Sequence, residues 1–189
     1  MSKLLLGLYE PGEGAIFIDG LDIKQIDPAD LRHNFSYVPQ DVVLFSGTVR
    51  DNITLKSPHA DDEAIIEAAK IGGVNSFTDR HPMGMDLQVG ERGFNLSGGQ
   101  RQSVAVSMGF IETSPIILLD EPSNSMDFNT ELKVIANLKK ETENKTTLII
   151  THKPSILDIV DRILVMDNGS IAMDGPKKEV LAKLGGKIK

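Results

Sequence analysis

Cysteine and tryptophan are both absent from the 189 residues, and aromatic residues make up only 5% of the chain. Without cysteine there is no disulfide and no thiolate metal site, and the composition fits a reducing compartment. No apolar run approaches the roughly 18 residues of a membrane-spanning helix. The short leucine-rich run at residues 4–8 lacks the flanks of a signal peptide. We therefore expect a chain that is soluble by itself, whose membrane role, if any, comes through a partner or a further segment.

Positive charge is also in short supply. Lysine and arginine total 20 against 27 aspartate and glutamate residues, which gives a formal net charge of -7. The basic residues are scattered along the chain, so we expect no surface for nucleic acid. The length suits one domain with a core of its own.

The stretch from residue 95 to residue 127 carries most of the information. It begins with a serine and two glycines between a leucine and a glutamine: Leu96, Ser97, Gly98, Gly99 and Gln100. The apolar spacing that follows predicts a helix starting at Ser97, whose first turn has no bulky side chain. Because the first N–H groups of a helix are unpaired and lie at the positive end of its dipole, such a start favours anions.

A strand ending in two carboxylates comes next. Four aliphatic residues without polar alternation, 116–119, predict a strand covered on both faces, as in a parallel sheet. Asp120 and Glu121 follow at its carboxyl end, which is where open α/β sheets bind ligands. One short segment therefore combines an anion-binding helix start with a carboxylate pair suited to a metal ion.

Each of these features alone has a simpler explanation. A Ser-Gly-Gly before a helix is most often a loop and a cap, and an Asp-Glu after a strand is most often a solvated turn. Their joint order and spacing resembles the nucleotide-binding domain of ATP-binding-cassette (ABC) transporters. In that resemblance residues 96–100 are the signature motif, 116–121 are Walker B, and the D-loop consists of Asn124, Ser125, Met126 and Asp127.

Two single residues extend the resemblance. Gln40 follows a predicted strand at 35–38 and matches the Q-loop, and His152 follows a predicted strand at 147–151 and matches the H-loop. Without that context a glutamine after a strand is an ordinary surface residue, and a lone histidine is usually structural. Lys153 stands where the family more often has arginine.

The resemblance implies the fold class and its division. It predicts an α/β P-loop NTPase (RecA-like) core with a mostly parallel sheet, incomplete at the amino end, plus an ABC helical subdomain. Residues 1–189 would form a single, partial ATPase domain. The α/β core would occupy 1–40 and 115–189, and the helical subdomain with the signature motif would occupy 41–114.

Hydrophobic spacing and turn residues predict the remaining elements. Helices are expected from Pro28 and at 61–71, 74–79, 130–140, 155–160 and 176–184, and further strands at 15–20, 162–166 and 171–173. The candidate core positions of the 130–140 helix are Leu132, Ile135, Ala136 and Leu138. Proline is expected at the first position of the last helix, and Gly185-Gly186 at its end.

The sequence departs from the family pattern at two places. The phosphate-binding loop Gly-x-x-x-x-Gly-Lys-Ser/Thr (Walker A) does not occur in it, and residues 2–11 resemble the helix that directly follows that loop. We therefore expect a chain truncated at its amino end, or a gene fragment, that binds ATP weakly. Residues 107–109 read Ser-Met-Gly where the family usually has Ala-Arg-Ala, and both departures favour relaxed selection or a degenerate copy.

An exporter loop is the last element of the resemblance. The run Val89, Gly90, Glu91, Arg92 and Gly93 resembles the loop that touches the transmembrane domain in ABC exporters. By itself it is a charged surface turn between glycines. His81-Pro82 ahead of it is most similar to type I secretion exporters, which export RTX-like proteins or peptides.

The family assigns a role to each matched residue. Asp120, with Gln40, would hold Mg²⁺, and Glu121 would be the general base for the attacking water. His152 would bond the γ-phosphate and that water. Two such domains pair head to tail, so that residues 96–100 close over ATP held by the partner domain, while Asp127 helps couple the two sites.

Three functions follow as alternatives. The first is the ATPase domain of an ABC exporter at the cytoplasmic face of the inner membrane, joined to it through a transmembrane partner or segment. The second is a catalytically silent partner that completes the ATP site of an intact domain. The third, an ABC ATPase acting in translation or on DNA, is disfavoured by the 89–93 loop and by the lack of a basic face.

Overall fold

The computed structural model describes residues 1–185. The chain divides into two compact units, Met1–His152 and Lys153–Lys189. Across the described residues, no helix combines the length and the apolar character needed to cross a lipid bilayer.

The first unit mixes helices with a small parallel sheet. In chain order its elements are α1 (Ser2–Leu5), β1 (Phe17–Ile18), β2 (Leu21–Asp22), α2 (Pro28–His33), β3 (Phe35–Val38), α3 (Val49–Ile53), α4 (Asp62–Gly72), α5 (Asn75–Thr78), α6 (Gly98–Gly109), β4 (Ile116–Asp120), α7 (Phe128–Thr142) and β5 (Thr146–Ile150). The expected strand at 15–20 is shorter than predicted and is half of a hairpin, because Asp19 and Gly20 turn the chain with positive φ angles of 50° and 83°.

β3, β4 and β5 form a parallel sheet with β4 in the centre. Val38 pairs with Leu119, and Asp120 pairs with Ile150, so the three strands end at nearly the same level. Residues 117–119 are completely buried, as the non-alternating apolar run predicts. This register fixes where the residues that follow each strand lie.

A second core lies among the helices. α4 packs against α6, and α3 contacts both. Gly72 makes the close approach possible, because a Cβ at this position would overlap the backbone oxygen of Ser103 and the hydroxyl of Ser107. The buried cluster between these helices is Leu44, Val49, Ile53, Ile65, Ala68, Ala69, Val74, Val89, Leu96, Val104 and Ile111.

The unusual Ser-Met-Gly at 107–109 fits its surroundings. A Cβ at Gly109 would lie 2.8 Å from Val38 Cγ2 and 3.2 Å from the Tyr37 backbone oxygen. Ser107 is fully buried, and its hydroxyl donates a hydrogen bond of 3.1 Å to the Ser103 carbonyl. The glycine therefore lets α6 end directly against β3, so the packing of this chain matches its departure from the family pattern.

The buried face of α7 differs in part from the prediction. Ile135 and Leu138 are buried as expected, but Leu132 and Ala136 are exposed, and Val134 is completely buried instead. The difference arises because α7 packs against the end of α4 through Val134, whose Cγ2 would lie 3.2 Å from a Cβ at Gly73. Leu132 then lies on the opposite side of the helix.

The second unit is a hairpin followed by a helix. β6 (Arg162–Asp167) and β7 (Ser170–Pro176) pair antiparallel, and α8 (Lys177–Leu184) packs on β7. Arg162 holds Asp174 through two hydrogen bonds of 2.7 Å, from Nε and Nη2. These bonds lower the pKa of the Asp174 carboxyl and raise the pKa of the Arg162 guanidinium.

Two boundaries in the second unit differ from the prediction. The segment expected as a helix at 155–160 is a 3-10 helix, Pro154–Ile159. Pro176 precedes α8 as its N-cap rather than occupying its first turn, because its backbone is extended, with a ψ of 139°. Gly185 ends the helix as expected, whereas Gly186 lies outside the described residues.

Candidate functional site

The sheet brings four of the predicted residues to one edge. Asp120 ends β4 and Glu121 follows it, while Gln40 and His152 each lie two residues beyond a flanking strand. Because the strands are parallel and in register, all four leave the sheet at its carboxyl edge. Glu121 and His152 are in direct contact. The Gln40 side chain is exposed, and within residues 1–185 it makes no hydrogen bond.

The Glu121 carboxylate is held by the residues that follow β5. Oε1 accepts a hydrogen bond from the His152 backbone N–H at 3.0 Å and lies 2.7 Å from His152 Nδ1. Oε2 accepts a hydrogen bond from the Thr151 hydroxyl at 3.2 Å. The Glu121 side chain is only 10% exposed, whereas the His152 side chain is 75% exposed. A fixed carboxylate beside an accessible imidazole is suited to accept a proton from a water molecule at this edge.

The backbone of Glu121 is unusual. Its φ is 49°, in the left-handed region, and Pro122 follows it. A residue before proline normally stays extended, and such outliers cost of order 1–3 kcal/mol. The Glu121 N–H donates to the Ile150 carbonyl at 2.9 Å, and its own carbonyl accepts from the Asn124 N–H at 3.0 Å. A strained backbone held in place by its neighbours is typical of a functional site.

Asp120 has a partner that the sequence did not reveal. The hydroxyl of Ser2, which is buried, donates a hydrogen bond of 2.9 Å to Asp120 Oδ2. Oδ1 accepts no hydrogen bond within the described part of the chain. Tyr37 lies close by: burial raises the pKa of its hydroxyl, the hydrogen bond with Ser2 lowers it, and the Asp120 and Asp41 carboxylates raise it. Tyr37 therefore stays protonated around neutral pH.

The start of α6 has the structure that the sequence predicts. Ser97 is the N-cap, its hydroxyl accepts from the Gln100 N–H at 3.2 Å, and Gln100 Oε1 accepts from the Ser97 N–H at 2.8 Å. This reciprocal pair is a capping box. The two glycines let the D-loop approach, because a Cβ at Gly99 would lie 2.8 Å from the Ser125 carbonyl oxygen. The backbone of the D-loop therefore packs directly against the first turn of α6, where the glycines have no side chain.

A polar cleft of about 840 Å³ opens beside this helix start. Its lining residues are Ser76, Phe77, Arg80, Ser97, Gly99, Gln100, Ser103, Ser125, Asp127, Asn129, Thr130, Leu132 and Lys133. Leu132, predicted as a core residue, therefore faces the cleft. Sequence reasoning did not identify Arg80 and Lys133, which bring positive charge to the cleft and form no ion pair within residues 1–185. No local pattern marks them, since they come from two separate helical regions.

Asp127, the last residue of the D-loop, caps α7. Its carboxylate accepts from the N–H groups of Asn129 and Thr130 and, at 2.6 Å, from the Thr130 hydroxyl. The Thr130 hydroxyl is the main cause that lowers the pKa of Asp127, and the two N–H groups add to it. The stabilisation from this ionised cap is therefore complete above the ordinary carboxyl pKa and is lost as the pH falls through the lowered value.

We expect Thr130→Val to raise the pKa of Asp127 toward its ordinary value, because the variant keeps the side-chain shape and removes the hydroxyl donor. Carboxyl ¹³C NMR titration of the folded chain measures this. Thr130→Ser keeps the donor and should titrate like the parent chain. An unchanged pKa in the valine variant would show that the backbone N–H groups alone set it.

Comparison with known proteins identifies the family. The family described as ABC transporter matches residues 1–124. The chain belongs to the ABC transporter family. Its match spans the sheet edge at Gln40, Asp120 and Glu121 as well as the signature motif.

Individual ABC proteins match almost the whole chain. An uncharacterised ABC transporter ATP-binding protein of Sinorhizobium fredii is 37% identical over 183 residues, which are 97% of this chain and 31% of that protein. A protein of Staphylococcus aureus, whose name assigns it to multidrug export as an ATP-binding/permease protein, is 39% identical over 97% of this chain and 32% of its own length. The chain thus spans about a third of the curated relatives that it matches.

A solved ABC structure confirms the fold class. The structure of a bacterial Atm1-family ABC exporter with ATP bound superimposes with a TM-score of 0.92, at 36% identity, over 96% of this chain and 32% of that one. The chain therefore has the α/β fold of an ABC ATPase domain and is similar to the domains of exporters. The assignment to type I secretion is finer than these similarities reach, since the S. aureus relative is named for multidrug export.

Proposed function

We propose that the chain is the ATP-binding and ATP-hydrolysing domain of an ABC exporter. The observation that carries the proposal is the carboxyl edge of the sheet, where a buried carboxylate, Glu121, is fixed beside an exposed imidazole, His152. The same unit carries a second phosphate-suited surface at the start of α6. A catalytic edge together with a separate phosphate-facing helix start fits a site assembled from two domains.

Glu121 is the proposed general base. Its side chain is only 10% exposed, and Oε1 lies 2.7 Å from His152 Nδ1. Water attacking the γ-phosphate would lose its proton to this carboxylate, and His152 would orient the water and the phosphate. Gln40 leaves the same edge and would complete the contacts to the water and the metal ion.

The residues at the edge fit Mg²⁺. This ion usually keeps several waters and is bound by one or two carboxylates together with phosphate oxygens. Asp120 offers a free Oδ1, while Ser2 holds its other oxygen at 2.9 Å. Gln40 adds a neutral amide oxygen. Within the described residues no cluster of three or more acidic, histidine or cysteine side chains could hold a metal.

Residues 96–100 would act on ATP held by a second ABC ATPase domain in a head-to-tail dimer. The start of α6 lines the polar cleft at Ser97, Gly99 and Gln100, and the positive end of a helix favours anions. Arg80 and Lys133 on the cleft add positive charge in a chain that is acidic overall. Asp127, at the rim of this cleft, would couple the two sites of the dimer.

The 89–93 loop is the proposed contact to the transmembrane domain. Val89 is completely buried and anchors the loop, while Glu91 and Arg92 are exposed between two glycines with positive φ angles. Arg101 of α6 donates hydrogen bonds to the carbonyls of Leu96 and Gly93, at 2.7 and 3.4 Å. The loop is thus tied to the signature helix, which suits a part that transmits motion. The membrane partner would place the domain at the cytoplasmic face of the inner membrane.

The exported substrate is proposed to be a protein or peptide, as in type I secretion. The support is His81-Pro82 ahead of the exporter loop, where His81 Nδ1 accepts a hydrogen bond from the Met83 N–H at 3.2 Å and orders the turn. Names of relatives assign some of them to multidrug export instead. Export assays in vesicles that compare a peptide with a small organic cation would separate the two.

A silent partner is the second candidate function. It is favoured by one observation: the signature surface is complete at the start of α6, where Ser97 and Gln100 form a capping box. Such a chain would close over ATP bound to an intact domain. Its role would be to support one composite site out of two.

The test mixes the chain with a complete ATPase domain, for which the S. aureus relative provides the source. We expect ATP to induce a heterodimer, measured by multi-angle light scattering, and Ser97→Arg to weaken it at least about tenfold by filling the cleft and removing the N-cap. Ser170→Arg makes the same change at the exposed first residue of β7 in the second unit and should have no effect. Association that occurs equally without ATP and in the Ser97→Arg variant would refute the proposal.

A further inference from the structure

The start of α6 and the segment that begins at Glu121 pack against each other along one helix face. Residues three positions apart on a helix are neighbours, so Gln102 lies on the same face as Gly99. A Cβ at Gly99 would lie 2.8 Å from the Ser125 carbonyl oxygen and 3.2 Å from Met126 Cα. One helical turn further along, Gln102 Nε2 donates a hydrogen bond of 3.4 Å to the Glu121 carbonyl.

Gln102 is only 4% exposed, so its amide needs a hydrogen-bond partner within the protein. A buried amide without a partner costs about 1–3 kcal/mol, and Gln102 is satisfied because it reaches Glu121. On the other side, the Glu121 carbonyl also accepts the Asn124 N–H at 3.0 Å. Two donors therefore hold the carbonyl of a residue whose φ is 49°.

The carboxylate of Glu121 and its backbone are thus fixed from different directions. The end of β5 holds the carboxylate through Thr151 and His152, and α6 holds the carbonyl through Gln102. A rotation of the peptide after Glu121 would break the bond to Gln102 and would also move the side chain away from His152. The position of the carboxylate therefore depends on α6.

We propose that Gln102 is a positioning residue for Glu121, which ties the phosphate-facing start of α6 to the group that activates water. This inference rests on the proposed function, since it assigns Glu121 to catalysis. It adds that two parts of the domain move together. One is the start of α6, which would meet the partner's ATP, and the other is Glu121, the general base of the chain's own site. A displacement of the α6 start by a bound phosphate would reach Glu121 directly through the Gln102 side chain, beside the packing of Gly99 on Ser125 and Met126.

The first test needs no nucleotide. Gln102→Met keeps the length of the side chain and removes the N–H donor. In the full chain we expect amide hydrogen exchange at Asn124 and His152, the two backbone donors to Glu121, to accelerate at least tenfold. Exchange at Val89 and Asn95, whose hydrogen bonds lie in the exporter loop, should stay unchanged.

Ser107→Ala is the matched control. Ser107 is equally buried on the same helix, but its hydroxyl bonds to the Ser103 carbonyl and makes no contact with Glu121. We expect this variant to change exchange evenly over α4 and α6 without selecting Asn124 and His152. If Gln102→Met also changes exchange evenly, or not at all, Gln102 has a packing role only and the proposal is overturned.

A second variant tests the donor separately, and circular dichroism of both variants checks that they are folded. Gln102→Glu has the same shape but offers no donor when ionised, and its carboxylate repels the Glu121 carbonyl. In ATP-hydrolysing protein, both variants should lower kcat at least tenfold and leave KM within twofold, because the nucleotide contacts are untouched. A loss in kcat/KM that comes from a higher KM, with kcat unchanged, would contradict a positioning role. Failure of hydrolysis in the parent protein would refute the proposed function, while the exchange result on Gln102 would still stand.

Discussion

Glu121→Gln is expected to lower ATP turnover by about 10²- to 10⁴-fold, the usual contribution of a general base. The amide fits the same space and can still contact His152, but it cannot accept the proton of the attacking water. ATP affinity should change little, since Glu121 is proposed to contact the attacking water and not the nucleotide. Single-turnover phosphate release measures the effect, in protein expressed from a reading frame that also supplies a phosphate-binding loop.

The control is Glu143→Gln, the same isosteric change at an exposed position that ends α7. It should leave turnover unchanged. Turnover that survives Glu121→Gln would remove Glu121 from the role of base. In the heterodimer with an intact domain the expectation is reversed: the composite site there uses the partner's carboxylate, so Glu121→Gln should be neutral while Ser97→Arg is harmful.

Gly99→Ala is expected to destabilise the fold by about 1–3 kcal/mol, the usual cost of overpacking. Helix propensity alone would make alanine about 0.8–1.0 kcal/mol better than glycine, so the sign of the change decides between the two effects. The added methyl would lie 2.8 Å from the Ser125 carbonyl oxygen and 3.2 Å from Met126 Cα, both backbone atoms that cannot rotate away. Urea denaturation followed by circular dichroism gives the change in free energy.

Gly12→Ala is the matched control for this substitution. Gly12 is exposed, its φ is not in the left-handed region, and nothing would lie within 4 Å of its Cβ. Its denaturation midpoint should stay within error of the parent chain or rise slightly, because alanine restricts the unfolded state. A Gly99→Ala variant that is as stable as Gly12→Ala would mean that the D-loop moves aside easily.

The central strand could be predicted from sequence because burial on both faces leaves a run without polar alternation, 116–119. The predicted strand at 147–151 is also found, as β5, although it is only half-buried. Gln40 and His152 could be assigned only through the family resemblance, and the parallel strands then bring them to the same edge as Asp120 and Glu121. The family comparison confirms the fold class.

Helix faces were harder to predict. In α7 the predicted core positions were Leu132, Ile135, Ala136 and Leu138, but Val134 is buried while Leu132 and Ala136 are exposed. The packing of α4 against α7 decides which positions are covered, and this packing is not visible in hydrophobic spacing.

The contacts that give the site its geometry join residues far apart in the chain. Ser2 and Asp120 are 118 positions apart, and Glu121 and His152 are 31 apart. The sequence indicated that Glu121 and His152 would share an edge, but assigned His152 to phosphate and water and did not predict its bond to Glu121. Side-chain pairing across strands depends on rotamers and register, which no local pattern encodes.

The short parallel strands limit where residues can be inserted into this domain. Because side chains alternate between faces, one extra residue inside β4 would turn Asp120 and Glu121 to the wrong faces of the sheet. The turn near Gly12 and Gly14 is exposed, and a Cβ added at either glycine would have no neighbouring atom within 4 Å. An epitope tag or a fluorescent reporter is therefore better inserted there, where added length is absorbed by solvent and the spacing of the strand ends is preserved.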